Sequence, residues 1–350
     1  MPLNDLQIQE CQDRYLREVD RYTKMAEVVY EKCQDIVQKK LTVRATVQRR
    51  AKNSKSFVEK LRNARFREKF NSVDEVFLNI SDLAGVRIAT YLESDREVVV
   101  EEIRKEFAGL IHGSPGIDVK DRNEAGFHYK ATHCQVFLTD DDLVGTNENL
   151  RGTTCEIQVC SLLAHVFNEI EHDLQYKPLS GQLSSPEKEF IDQLGLLTKA
   201  GDITIKRLLE QAENRLMART GPFADVFDFV VRMQVEMGLS NFASNAGQLF
   251  DELNQLELLS PEALNQAVQI GSGESLSSAS KRQFDALKNF MQAEQRQTEL
   301  LEDGSSDMLL VGLLSKNLDR VLANHPMGRG FGRPSRLAQI ASAYRRMIGR

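Results

Sequence analysis

The run Thr153-Thr154-Cys155-Glu156-Ile157-Gln158-Val159, followed at once by a helical pattern from Ser161 to Lys177, constrains this chain more than any other stretch. β-Branched residues alternate there with polar ones at period two, the pattern of a strand. That period puts Glu156 and Gln158 on one face and Ile157 and Val159 on the other. A carboxylate beside an amide, with an apolar back, describes a lined pocket over a packed core. In the helical stretch, Glu169, His172 and Tyr176 fall at i, i+3 and i+7 and share one face, from which they can buttress the strand from behind. A solvated strand face followed by an ordinary amphipathic helix fits the same pattern, and from this stretch alone it is the favoured reading.

The chain has 350 residues, long enough for a large core and, by length, about two domains. Its net charge of -6 gives no blanket attraction to nucleic acid, so phosphate binding must come from local basic clusters. Cys11, Cys33, Cys134, Cys155 and Cys160 are odd in number and lack C-x-x-C spacing, which argues against a disulfide framework or a zinc site and for a reducing cytosol. The start, Met1 to Asp5, has neither a basic nor an apolar signal region, and no run approaches the ~20 apolar residues of a membrane span. The expectation is a soluble, cytoplasmic protein with no membrane partner.

Residues 4 to 40 read as one long helix, with Leu16, Val19, Tyr22, Met25, Val29, Cys33 and Ile36 spaced by threes and fours. A β-rich run from Leu41 to Gln48 leads into Arg50 and Lys52, and helix returns over 54 to 66 with Ser54 as N-cap. Arg50 and Lys52 are expected on one strand face, and Ser56 and Lys60 on one helix face. Ile80 to Tyr91 reads as a strand with Asp82 at its mouth, followed by helix over 93 to 107. Strands are expected over 117 to 122 and 129 to 138, the second placing Tyr129, Ala131 and His133 on one side. Pro186 to Arg219 reads as helical, as do stretches near 222 to 238, 243 to 258, 260 to 270, 279 to 302 and 305 to 323, with Gly271 to Ser278 as a flexible break. From Arg320 to Arg350 there is no acid, and the arginines of the Arg329–Arg350 tail form either a phosphate- or RNA-contacting arm or a solvated basic end.

Glu156-Ile157-Gln158-Val159 and the later Phe-Asn-Glu-Ile-Glu-His-Asp-Leu-Gln-Tyr-Lys over 167 to 177 resemble the end of the synthetase domain of the RelA/SpoT family, the enzymes that make the alarmones pppGpp and ppGpp. Phe167 stands where that family usually has Trp. The string Arg50-x-Lys52-x-x-x-Ser56-x-x-x-Lys60 matches the family's R-x-K-x-x-x-S-x-x-x-K segment, and Asp82 to Ile88 resembles its D-hydrophobic-A-G-hydrophobic-R-hydrophobic motif. Tyr129-Lys130-Ala131-Thr132-His133 is similar to its Y-R-S/A-x-H loop. The matched region runs from about residue 15 to about residue 215.

This resemblance implies an α+β fold, a mixed five-stranded sheet flanked by helices over 1–218, followed by an all-α region over 219–350. It implies that Arg50 packs on the adenine of ATP, that Lys52 and Lys60 meet its phosphates, and that Ser56 and Arg87 belong to the same ATP site. Guanidinium stacking on a base and ammonium pairing with phosphate suit these side chains. Asp82 and Glu156 are implied as ligands of Mg²⁺, which takes one or two carboxylates and leaves its other positions to water and phosphate. Catalytic roles fall to Asp82, Glu156 and Gln158, with Glu156 helping to deprotonate a 3′-hydroxyl and Gln158 orienting it. Tyr129 would stack on the acceptor base, with Lys130 and His133 beside it.

The implied reaction moves the β,γ-pyrophosphate of ATP to the ribose 3′-hydroxyl of GDP or GTP, leaving AMP. The chain lacks the Lys and Asn that often precede the tyrosine, and His128 stands at the usual glycine. The acceptor therefore stays open among GDP, GTP, GMP, ATP and the 3′ end of tRNA, the last being the substrate of toxic relatives; in that case the helical region would be a neutraliser or sensor. A catalytically silent nucleotide-binding module is a further reading, and a homo-oligomer through the helical regions is left open. There is no P-loop and no H-D plus E-D hydrolase pattern, so hydrolase activity is not expected.

Overall fold

The structure is a computed structural model and describes residues 2–109, 113–121, 128, 130–176, 183–294, 298–325 and 335–349. The chain folds as two compact units, Met1–Val37 with Val43–Arg207, and Gln38–Thr42 with Leu208–Arg350.

The first unit is built on a five-stranded sheet of order β1-β2-β5-β4-β3, where β1 is Ala45–Ala51, β2 Ala84–Thr90, β3 Gly116–Asp121, β4 Lys130–Val136 and β5 Cys155–Ser161. β2 and β5 are parallel and the other pairings are antiparallel, so the sheet is mixed. Helices α1 (Asp5–Asp35), α2 (Ser54–Arg62), α3 (Ala64–Arg67), α4 (Val73–Asn79), α5 (Asp95–Glu106), α6 (Leu162–Tyr176) and the start of α7 (Ser185–Met217) complete it.

The pleat alternates as the sequence pattern requires. Cys155, Ile157 and Val159 are buried with Val86 and Ile88 on one face, and α1 brings Cys33 to the same face, within electrostatic range of Cys134 and Cys155. Glu156 and Gln158 occupy the opposite face and are half-buried. All five thiols are free and buried.

Several boundaries differ from the sequence reading. α1 ends at Asp35 and passes into a π-helical turn, Ile36–Lys40. Its buried stripe runs through Tyr15, whereas Leu16 is exposed. The helix over 54 to 66 breaks at Asn63, and its N-cap is Asn53, which accepts a hydrogen bond from Lys55 N. Ser54 Oγ instead accepts from Gln12 Nε2 at 3.3 Å. Asp82 precedes β2 by two residues, in a turn, so the two acids do not both stand on strands.

The second unit is helical: α8 (Val226–Met237), α9 (Ala246–Leu256), α10 (Pro261–Ala267), α11 (Leu276–Ala293), α12 (Asp307–Asn324) and α13 (Arg336–Met347) enclose one apolar core with Phe229, Phe242, Leu253, Leu287, Leu309 and Ile340. Gly271 to Ser278 does not form the expected flexible break throughout. Ser275 caps α11 by accepting from Ser278 N, and Glu274 accepts from Gly271 N while pairing with Arg282. The basic end is also structured over α13. Leu337, Ile340 and Tyr344 are buried there, and Arg336, Arg345 and Arg346 pair with Asp307, Asp319 and Glu294. Arg329, Arg333 and Arg350 lie outside the described residues.

The segment Gln38–Thr42 is held by α9 and its approach. Asn245 N donates to Lys40 O at 2.7 Å, and Thr42 Oγ1 donates to Ala243 O at 3.0 Å and accepts from Gly247 N at 3.1 Å. Thr42 has a φ of 53°, unusual for a β-branched residue. A Cβ on Gly247 would meet Gln38 O at 1.9 Å, so only glycine allows this approach.

Candidate active site

Strand register assembles the site. Arg50 pairs with Gly85, Gly85 with Glu156 and Glu156 with Gln135; one pleat along, Gln48, Arg87, Gln158, His133 and Asp118 form a second row. Residues two apart share a face, so both rows lie on the Glu156 side of the sheet. Helix α6 covers the far end of that face, where Ala164 packs on Ala131 and Cys160. Glu169 thus reaches the polar face directly, and does not buttress the strand from behind; the side chains of His172 and Tyr176 lie outside the described residues.

A recess of about 170 Å³ opens between these rows, lined by Gln48, Arg50, Asp82, Gly85, Arg87, Glu156 and Gln158 among others. Gly85 forms part of its floor. A Cβ there would come no nearer than 3.8 Å to Arg50 Cγ or to the Arg50 and Glu156 carbonyls, so the absent side chain is what keeps the recess open.

Asp82 is the most heavily paired acid of the site. Lys52 Nζ donates to Oδ2 at 2.6 Å, and Lys60 Nζ stands 2.9 Å from Oδ1 as an ion pair. Burial pushes the Asp82 carboxyl up, but the two ammonium groups outweigh it and hold the carboxyl below its ordinary value. Lys52 is fixed through its backbone, its N donating to Leu83 O at 2.9 Å and its carbonyl accepting from Tyr15 OH. Lys60 lies over the Phe66 ring at 4.9 Å. Ser56, one turn before Lys60 on α2, is half-buried. Arg50 is exposed and has no ion-pair partner among the described residues.

Glu156 has a hydrogen bond at one oxygen and an imidazole nitrogen near the other. Gln158 Nε2 donates to Oε1 at 2.9 Å, and His133 Nδ1 lies 3.4 Å from Oε2. Burial raises its pKa, but the hydrogen bonds and charge of His133, with the Gln158 amide, prevail over both burial and the opposing charge of Asp82, leaving it lowered. Arg87 Nη2 donates to Glu169 Oε1 at 2.8 Å and to Gln158 Oε1 at 3.4 Å, which turns the amide toward Glu156. One chain of contacts thus runs from Glu169 through Arg87, Gln158 and Glu156 to His133.

The donor set suits Mg²⁺. Two hard carboxylates face one recess, each side chain 18% exposed, and they act on each other as like charges. Among the described residues no group of three or more His, Cys, Asp or Glu side chains forms a metal cluster. Mg²⁺ does not require one, since one or two carboxylates suffice when phosphate supplies the remaining oxygens.

Not every expected residue joins this group. Lys130 is on the opposite pleat from His133, and its Nζ pairs with Glu93 Oε1 at 2.8 Å. Tyr129 lies outside the described residues. Two residues beyond the sequence expectation do join. Gln48 lines the recess two residues before Arg50, a position that strand periodicity marks. His165 lies within electrostatic range of Arg87 and Glu169, and burial, then the Arg87 charge, lower its pKa. It is four residues before Glu169, on the same helical stripe, so periodicity would have found it.

Comparison with curated protein sequences returns no match. Among solved structures, the chain is similar to the small alarmone synthetase 1 from Bacillus subtilis, with 22% identity, 58% of this chain and 99% of that chain covered, and a TM-score of 0.45. A GTP pyrophosphokinase family protein from Streptococcus pneumoniae gives 19% identity, 58% and 96% coverage and a TM-score of 0.46. The Bacillus subtilis protein bound to its product pppGpp gives 22% identity, 57% and 97% coverage and a TM-score of 0.44. The family model described as a region found in RelA / SpoT proteins matches residues 49–180, which include Arg50, Lys52, Asp82, Arg87, Glu156 and Gln158. That match takes in the sheet from Arg49 in β1 onward and every residue lining the recess except Gln48.

Proposed function

We propose that this recess binds ATP with Mg²⁺ and passes the β,γ-pyrophosphate to the 3′-hydroxyl of a guanosine nucleotide, releasing AMP. The observation that carries this reading is the convergence of Asp82, Glu156 and Arg50 around one glycine-floored recess, with Lys52 and Lys60 paired to Asp82. Transfer of a charged phosphoryl group needs positioning and charge stabilisation more than a covalent nucleophile, and this set offers cations and carboxylates without an activated Ser or Cys.

Arg50, exposed and without an ion-pair partner among the described residues, can lie on the adenine. Lys52 and Lys60 exchange Asp82 for phosphate oxygens when ATP enters, which releases the Asp82 carboxylate. Asp82 and Glu156 are the residues that would hold Mg²⁺. Bound there, the ion would neutralise charge on the phosphates during transfer.

The acceptor 3′-oxygen forms its bond to the β-phosphorus as the bond from that phosphorus to the α,β-bridging oxygen breaks. Glu156, with its pKa lowered, is a weak base, so its main part is to hold the cation; it accepts the hydroxyl proton only as the new bond forms. Gln158 fixes the carboxylate for both parts. Tyr129 is proposed as the platform for the acceptor base.

The test is incubation with γ-labelled ATP, Mg²⁺ and, in separate reactions, GDP, GTP or deacylated tRNA. Label on a guanosine nucleotide together with stoichiometric AMP supports the proposal. Label on the tRNA 3′ end reassigns the acceptor, and no AMP with any acceptor refutes the reading.

A further inference from the structure

The side chain of His128 is only 7% exposed, two residues before β4 begins. Its Nε2 donates to Asp192 Oδ1 on α7 at 2.8 Å. Its ring meets that of Phe167 on α6 edge-on, with centroids 6.0 Å apart and planes at 84°. One turn along α7 from Asp192, a Cβ on Gly195 would stand 2.2 Å from His128 Cγ, so the helix makes room for the imidazole only because residue 195 is glycine.

The same turn contains Ile191 and Gly195, the buried positions of a helix whose other apolar residues, Phe190, Leu196, Leu197, Ile203 and Leu208, are largely exposed. Helix α7 therefore touches its own unit through few seats, of which the imidazole is one. Ser161 with Asp202, at 3.1 Å, is another.

Strand β4 carries the consequence. Five residues after His128, His133 contacts Glu156, and the residue next after His128 is Tyr129. A shift at the entry to β4 would be felt along that strand at His133, while β1 and the turn before β2, which carry Arg50 and Asp82, lie on the other side of β5.

We infer that His128 is a positioning residue for the acceptor: pinned by Asp192, Phe167 and Gly195, it fixes the strand that presents the acceptor side of the site and leaves the ATP side untouched. This rests on the pyrophosphokinase reading above.

The experiment compares the KM for acceptor and for ATP in full-length wild type, His128→Ala, His128→Gln, Gly195→Ala and the double variant His128→Ala with Gly195→Ala. His128→Ala and Gly195→Ala are expected to raise the acceptor KM about tenfold or more, a modest loss for a small displacement, with the ATP KM unchanged. His128→Gln, which keeps an N–H for Asp192, should recover most of the acceptor affinity. The double variant should be no worse than His128→Ala, because the added methyl then occupies space the imidazole has left. Equal rises in both KM values, or an unchanged acceptor KM in Gly195→Ala, would overturn the inference. Wild-type protein that forms no AMP overturns the pyrophosphokinase reading itself, and the role of His128 with it.

Discussion

Glu156 and His133 meet diagonally across adjacent strands, with His133 Nδ1 3.4 Å from Glu156 Oε2, while the other Glu156 oxygen accepts from Gln158 at 2.9 Å. The Gln158 hydrogen bond orients this carboxylate toward the recess, which suits a metal ligand better than a mobile base. Glu156→Gln removes the charge and keeps the shape. AMP release from ATP plus guanosine nucleotide, followed by chromatography, should fall at least about a hundredfold, a size seen when one group acting on developing charge is lost.

The two ammonium groups on Asp82 predict a specific kinetic split. Lys52→Ala or Lys60→Ala should each raise the ATP KM by about ten- to a hundredfold, the range for losing one charge-assisted hydrogen bond. The acceptor KM should stay near its original value, because neither lysine lies on β4 or β3. Initial-rate kinetics with each substrate varied in turn decides this.

Gly85→Val should separate stability from binding. The nearest atoms to a Cβ at this position are 3.8 Å away, and β-branched residues suit strands. The melting temperature should hold or rise while ATP binding, measured by calorimetry, is lost. A valine variant that still binds ATP would show that the recess does not receive the nucleotide.

Acid should weaken the sheet unit through these same carboxyls. Both Asp82 and Glu156 have folded pKa values below their ordinary values of 3.8 and 4.5. Their contribution to stability is therefore fully present above those values and is lost as pH falls through the lower folded ones. Chemical denaturation from pH 7 down to pH 3 should show wild type losing stability over the acid part of this range, and Asp82→Asn losing less.

Gly247→Ala should destabilise the helical unit by about 1–3 kcal/mol, the range for overpacking, since its methyl would meet Gln38 O at 1.9 Å. Urea titration followed by circular dichroism should show the loss.

Much of this site can be read from local text. The alternation over 153 to 159 identifies β5 and assigns Glu156 and Gln158 to one face, and the spacing of Arg50, Lys52 and Lys60 fixes which cations are available. Other features resist such reading. Asn53 rather than Ser54 caps α2 because either residue type can cap and only the chain path selects one. The glycine- and serine-rich stretch before α11 forms a cap because Arg282, inside the helix, pairs with Glu274. The basic end folds into α13 because its apolar stripe, with Leu337, Ile340 and Tyr344, is buried, while acids distant in sequence pair with Arg336, Arg345 and Arg346.

The sequence by itself determined which side chains could do the chemistry and which pleat or helical stripe each would occupy, since those follow from periods of two and 3.6 along a short stretch. Only the tertiary structure decided who meets whom: Arg87 beside Gln158, 71 residues away, His133 against Glu156, and Lys52 and Lys60 on one aspartate. The physical reason is register. Which residue faces which across a sheet is set by the pairing of strands far apart in the chain, and a slip of one position would turn the strand-borne groups, Arg87, His133, Glu156 and Gln158, to the other side.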